Sequence, residues 1–187
     1  MAMPSVSHND WSVAKLHALP DDGNRYEIID GALYVTPSPR YLHQRALARM
    51  IHYVWPYADG VGLEPMTSPA DIQFSDRTVV QPDLFVFAEP PGTRVVQWTD
   101  ITSLVLAIEV LSPRTARRDR TVKRRMYQTQ NTLEYWIVDA SSRAIERWRP
   151  DSAHAEVLTK TLSWQPVATR IPLNIDLVSY FRAVHGD

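Results

Sequence analysis

Two acids stand where a chain has reason to avoid them. Asp83 interrupts the apolar run TVVQPDLFVF, and Glu109 interrupts LVLAIEVLSP further on. An ionised carboxylate buried without a partner costs several kcal/mol, or it takes up a proton. Each acid therefore needs a compensating group, either a structural cation such as an arginine of the segment after Glu109, or a metal ion. Two carboxylates close together stay ionised only with positive charge between them, and Mg²⁺ or Mn²⁺, which prefers hard oxygen ligands, suits that place. A basic side chain nearby would orient or deprotonate a water and steady charge developing on a phosphate. Lys123 has the reach. On a helix, Asp119, Lys123 and Tyr127 are spaced i, i+4, i+8 and share one face. The plainer reading of Lys123 is a surface pair with Asp119, worth about 0.2–0.5 kcal/mol.

These side chains have to be positioned by the elements around them. Residues 103–111 read as a nearly all-apolar central strand, with Glu109 alternating with Val105, Ala107 and Leu111. Residues 79–87 read as another strand, with Asp83 near its start. If the two strands are antiparallel neighbours, both acids meet at one sheet edge, and strand ends are where α/β sheets commonly build sites. Upstream, YEIIDGALYV reads as a hairpin turning at Asp30–Gly31. WSVAKLHAL reads as a short helix. A longer helix is expected to start at Ser38–Pro39, to carry Leu42, Ala46, Met50 and Val54 on its apolar stripe, and to stop at Pro56. VGLEPMTSPADIQF reads as a strand and an irregular stretch. A helix over 116–130 follows Glu109, then strands in EYWIVDA, RAIERWR and AEVLTK, and a closing helix in LNIDLVSYFRAV. Tyr135 and Trp136 read as core and Asp139 as a turn former. Glu27 and His43 either line the same cleft as the acids or fill the boundary of the core.

The order of elements implies a mixed α/β protein, with helices packed on a sheet and an N-terminal β-hairpin. The 187 residues fit a single domain over 1–187, with residues 1–10 a loose tail. Cysteine is absent, which removes disulfides, a cysteine nucleophile and thiolate metal sites and is compatible with a reducing cytoplasm. No apolar run has the length of a membrane span, and the N-terminus lacks the pattern of a signal peptide. The net charge is -1, yet RTARRDRTVKRR, residues 114–125, holds seven basic residues and one acid. With 20 basic and 21 acidic residues in all, the remainder carries 13 against 20. A basic patch on an acidic body, starting just after Glu109, is suited to phosphates, with Arg117, Arg118, Arg120 and Arg124 as candidate contacts and Arg125 beside them. Its plain alternative is a solvated helix face.

Four stretches together carry a resemblance: YEIIDGALYVTPSPRYLHQ, VVQPDLFVF, LAIEVLSPRTARRDRTVKRRMYQ and LEYWIVD. They resemble the Uma-type restriction-endonuclease family of the PD-(D/E)XK nuclease superfamily, over about residues 25 to 150. The resemblance implies a restriction-endonuclease-like fold, a mixed sheet flanked by helices. It implies Pro82–Asp83 as the first motif acid and Glu109 as the second, both metal ligands, with Glu27 and His43 lining the cleft from the N-terminal side. The superfamily's usual lysine two positions after the glutamate is Leu111 here, so the basic role passes to Lys123. The reading that follows is a Mg²⁺- or Mn²⁺-dependent endonuclease on DNA, cytoplasmic, and a homodimer because two copies cut two strands most simply. The alternative is a degenerate nuclease fold serving as a nucleic-acid-binding or interaction module, which Leu111 favours.

Overall fold

The structure is a computed structural model that describes residues 10–187; the expected N-terminal tail lies, apart from Asp10, outside the described residues. After the short helix α1 (Val13–His17), β1 (Arg25–Ile29) and β2 (Ala32–Thr36) form the expected hairpin. Asp30 and Gly31 both take positive φ, 52° and 79°, as the two-residue turn requires. The long helix α2 (Tyr41–Gly60) buries Ala46, Met50, Val54 and Ala58 along one stripe. Its start differs from expectation: Arg40 is the N-cap, with no side-chain cap bond. Pro56 does not end it either. Pro56 and His52, the residue whose carbonyl loses its donor, both lie on the exposed side, where solvent can replace the lost donor.

Next come β3 (Glu64–Thr67), β4 (Ile72–Ser75), β5 (Thr78–Val80) and β6 (Leu84–Phe87). The single strand expected over residues 79–87 is thus two, and they belong to different sheets. One sheet has the order β2-β1-β5-β4. The break falls at Gln81-Pro82-Asp83, where proline has no N–H to donate and the Ser68 hydroxyl donates to the carbonyls of Gln81 (3.2 Å) and Pro82 (2.7 Å). A 3₁₀ turn, Trp98–Asp100, leads to the central strand β7 (Leu106–Val110).

The expected helix after β7 is present but interrupted. It runs as α3 (Ala116–Arg118), a π-helical turn (Asp119–Lys123) and α4 (Arg124–Thr129). Then follow β8 (Glu134–Asp139), β9 (Ala144–Trp148) and β10 (Glu156–Leu158), in a six-stranded sheet of order β10-β9-β8-β7-β6-β3. All its neighbours are antiparallel except β7 and β8, which are joined through the helical crossover. The C-terminal stretch holds more strand than expected: β11 (Thr161–Trp164) pairs with β12 (Leu173–Asp176) before α5 (Leu177–His185). Asp176 ends the strand and caps α5, its carboxylate accepting from Val178 N at 3.0 Å.

This is the mixed α/β architecture expected, with helices on both faces of the sheet. One face of β7 (Leu106, Ile108, Val110) packs with α2 and α5, around Trp136, Trp164 and Tyr180. The opposite face (Ala107 and Leu111) packs with Phe85, Tyr127, Tyr135 and Ile137. Tyr135 and Trp136 are buried as expected, and Asp139 accepts from Ser141 N and Ser142 N in the turn after β8.

Candidate functional site

Glu109 alternates onto the second of those faces, between Ala107 and Leu111. The β6–β7 register pairs Leu84 with Ile108, so one step beyond the start of β6 Asp83 stands opposite Glu109. The Asp83 carboxylate takes up the ladder there, with Oδ2 accepting from Val110 N at 2.9 Å. Both acids are only 2% exposed. The strand break at Pro82 brings this about, since it frees Asp83 to turn its side chain toward β7.

Glu27 arrives from β1 of the other sheet, fully buried, and accepts from Gln81 N at 2.9 Å. Lys123 lies between the sheets with no exposed surface. Its Nζ is 2.6 Å from Glu109 Oε1 and 2.7 Å from Glu27 Oε1. The Tyr127 hydroxyl donates to the same Glu109 oxygen at 3.2 Å. Asp119, Lys123 and Tyr127 do share one face, but it is a buried face, and the surface pair does not form: Lys123 reaches the two glutamates instead. A π turn at this position is a departure from regular helix of the kind often found at functional sites.

Two further cations complete the cluster. Arg25, two residues before Glu27 on β1, donates to Asp83 Oδ1 at 2.7 Å. Arg118 donates to Thr36 Oγ1 at 2.9 Å and lies 3.5 Å from Glu27 Oε2 and 3.8 Å from Asp119 Oδ1, with its guanidinium over the Tyr34 ring. From α2, His43 places Nε2 3.1 Å from Asp83 Oδ2, while its Nδ1 is buried without a partner. Glu27, His43, Asp83, Glu109 and Lys123 therefore come together in one place.

The four candidate arginines do not share a surface. Arg117 is exposed. Arg118 turns inward to Glu27. Arg120 bridges Asp139 (2.9 Å) and Glu146 (2.6 Å), fastening the π turn to the β8–β9 hairpin. Arg124 lies over the Trp148 ring and donates to Gln128 Oε1 at 2.8 Å. Arg114 and Arg125 are exposed as well. Sequence reasoning did not single out Arg25, although its i, i+2 relation to Glu27 on a strand places both on one face.

The charges do not balance. Apart from His43, four carboxylates (Glu27, Asp83, Glu109 and Asp119) face three cations (Arg25, Arg118 and Lys123), an excess of one negative charge. Burial pushes Asp83 up, but the His43 hydrogen bond and the Arg25 charge outweigh it and hold the carboxyl below the usual range. Burial likewise opposes ionisation of Glu27, and Lys123, Arg118 and Arg25 overcome it. Glu109 goes the other way. Burial raises it to about 8; Lys123 works against that, and the charges of Asp83, Glu27 and Asp119 add to it. Burial also raises Asp119. The excess charge thus settles on Glu109 as a tendency to hold a proton.

Asp83 and Glu109 are donors of the hard-oxygen kind a divalent cation takes, although both Asp83 oxygens and Glu109 Oε1 already have partners. Mg²⁺ is commonly held by one or two carboxylates, the rest of its shell being water and substrate phosphate. Asp83 and Glu109 supply two, and both hydrogen bonds to Glu109 fall on Oε1. A cation there would take the place of the Arg25 contact at Asp83 Oδ1 and of the proton on Glu109. Among the described residues no group of three or more His, Cys, Asp or Glu is arranged to hold a metal ion.

Comparison with known proteins agrees with the architecture. The family profile described as "Uma2: Putative restriction endonuclease" matches residues 13–175. A solved structure of a putative nuclease from Anabaena variabilis superposes with a TM-score of 0.74, at 18% identity, over 92% of this chain and 98% of that one. No curated protein matches significantly in sequence. The chain belongs to the Uma2 family and has the restriction-endonuclease-like fold of the PD-(D/E)XK superfamily.

Proposed function

We propose that this member of the Uma2 family is a divalent-metal-dependent endonuclease that hydrolyses DNA phosphodiester bonds. One observation carries the reading. Asp83 and Glu109 stand opposite each other across β6 and β7, with Lys123 Nζ 2.6 Å from Glu109. Asp83 and Glu109 would hold Mg²⁺ or Mn²⁺. When bound, the ion neutralises charge at the scissile phosphate and makes water a better nucleophile. Lys123 holds the attacking water or a phosphate oxygen in line, and Glu27 fixes the Lys123 ammonium from the other side. His43 keeps Asp83 oriented. Of the four candidate arginines, Arg117, which is exposed, would hold a neighbouring phosphate, with the exposed Arg114 and Arg125. Two copies acting together would cut both strands of a duplex.

Calorimetric titration with Mn²⁺ tests the ligands. The parent releases or absorbs heat at a single site, and Asp83→Ala does not. A parent without any heat of binding removes the ligand assignment. Plasmid and single-stranded DNA cleavage then tests the chemistry, and cleavage unchanged in Lys123→Ala removes that residue from it.

A second reading has its own observation. Asp83 is engaged by Arg25 and His43, Lys123 is fully buried, and Leu111 stands where the superfamily usually has lysine. On that reading the cluster is a structural ion network and the chain binds nucleic acid or a protein without cutting. Salt-dependent DNA binding with no Mn²⁺ heat is its signature.

A further inference from the structure

One cavity lies away from the carboxylates. It measures about 760 Å³ and lies over the β3–β6 edge of the six-stranded sheet, beneath the segment that follows β6. Its apolar lining includes Met66, Phe87 and Trp98, and its charged lining includes Glu64, Asp71 and Arg94. Trp98 is 39% exposed, and its ring stands edge-on to Phe85 at 6.3 Å between centroids. Among the described residues the side chains of Glu64 and Arg94 have neither hydrogen bond nor ion pair, and Asp71 uses one oxygen, accepting from Gln81 Nε2 at 2.7 Å. A pocket with an apolar floor, an aromatic wall and a few uncommitted polar groups is the usual form of a small-ligand site.

Its position relates it to the catalytic cluster. Along β6, Asp83, Phe85 and Phe87 alternate onto one face, and Met66 and Glu64 of β3 pair beside Phe85 and Phe87. Four residues at the strand rise separate Asp83 from Phe87 by about 13 Å. That is about four base steps at the ~3.4 Å rise of a stacked strand. Gln81 joins the two places directly, its side chain on Asp71 and its backbone N–H on Glu27.

The chemistry of the walls selects the occupant. Carboxylates accept hydrogen bonds and donate none, so the ring edge facing Glu64 and Asp71 must present N–H groups. The exocyclic amine of cytosine is a standard partner of Asp and Glu, and adenine and guanine also carry such amines. Thymine does not. An indole face stacks any base, and the exposed Arg94 meets a ring acceptor or the phosphate of the same nucleotide. We propose that this cavity holds one unstacked, amino-bearing nucleobase, its ring against Trp98 and its amine toward Asp71 and Glu64. The base comes from a free nucleotide or from a strand lying across the site; only the second source rests on the nuclease reading.

Equilibrium binding in EDTA separates this from catalysis, because no metal chemistry is involved. The probes are dCMP, dAMP, dGMP and dTMP, followed by oligo-dC and oligo-dT of equal length. The expected result is that at least one amino-bearing mononucleotide, or oligo-dC, binds tenfold or more tighter than its thymine counterpart. Binding of the mononucleotide identifies a free nucleotide as sufficient; selectivity in the oligonucleotide alone identifies the strand as the source. Trp98→Ala is expected to lower the affinity about tenfold, and Glu64→Gln to erase the discrimination against thymine. Equal binding of amino-bearing and thymine probes, or no binding of any, overturns the proposal in the parent protein alone, whatever the variants' folding. Cleavage with no base selectivity overturns the strand as the source and leaves the nuclease reading standing.

Discussion

Replacing Lys123 by methionine asks what the buried ammonium does for the fold. Methionine fills much of the same volume, so the change is mainly one of charge. The ammonium is fully buried, 2.7 Å from Glu27 and 2.6 Å from Glu109. Removing one member of a buried pair leaves an uncompensated charge and costs about 3–5 kcal/mol. Near pH 8 the charge left without its partner is that of Glu27, because burial already favours the protonated form of Glu109, so that range applies as it stands. Against a total stability of about 5–15 kcal/mol this is a large fraction. At about 2–4 °C per kcal/mol for a chain of this size, the midpoint falls by about 6–20 °C. The loss shrinks as pH falls toward 5, because Glu27, without Lys123, takes up a proton in the folded variant. Glu27→Gln/Lys123→Met recovers much of it at pH 8, since a neutral amide can keep the Gln81 N–H bond. Urea melts of the three proteins at pH 5 and pH 8 measure these differences. A single variant within about 1 kcal/mol of the parent at pH 8 refutes the view that Lys123 is the hub of the cluster.

Glu109 predicts a stability that falls with pH. Its folded value is raised from 4.5 to about 8, so between those values the folded state holds a proton the unfolded state has lost. The sign is therefore negative, up to about 1.4 kcal/mol per pH unit, fading above 8. Glu109→Gln removes that slope, and a parent whose stability is flat or rising from pH 5 to 8 contradicts it. Asp83 acts oppositely, because its folded value is depressed: the stability it contributes is present above its ordinary value of 3.8 and is lost in stronger acid. Within the basic run, Arg117→Ala and Arg125→Ala should each weaken DNA binding and lower the salt slope by about one, with stability unchanged. Arg120→Ala should do the reverse, loosening its contacts to Asp139 and Glu146 with an unaltered salt slope. Equal effects from all three would mean that the pairing of Arg120 is of no consequence.

The acids were legible because an ionisable group in an apolar strand is conspicuous, and the hairpin because Asp30–Gly31 is a strong local signal. The meeting of Asp83 with Glu109 depended on antiparallel pairing, which the sequence suggested but did not determine. Other features were hidden because tertiary contacts decide them. Pro56 is tolerated in α2 because of the side on which it falls. Strand 79–87 divides because its two halves pair with different partners. Residues 161–164 and 173–176 become strands through pairing with each other. The basic run misled for the same reason: seven like charges in sequence read as one patch, yet Arg118, Arg120 and Lys123 each find carboxylates from β1, β7, β8 or β9.

The charge imbalance also bears on how metal and DNA would bind under the nuclease reading. Four carboxylates against Arg25, Arg118 and Lys123 leave one negative charge, carried as a proton tendency on Glu109. A divalent cation expels that proton and turns the excess to one positive charge. Burying an unbalanced charge is unfavourable, so the metal alone binds weakly, and a phosphate beside it restores neutrality. Metal and DNA should then bind cooperatively, with a coupling of about 1–3 kcal/mol, or about 5- to 150-fold. Linkage makes the factor the same in both directions: an oligonucleotide tightens Mn²⁺ by as much as Mn²⁺ tightens the oligonucleotide. Both titrations can be run with a non-hydrolysable phosphorothioate strand at fixed ionic strength. Rising pH should strengthen Mn²⁺ binding up to about 8, as the proton on Glu109 ceases to compete. Equal Mn²⁺ affinity with and without the strand would mean that the cluster is neutralised by its own arginines, and that the excess charge assigned to Glu109 is not what draws a metal in.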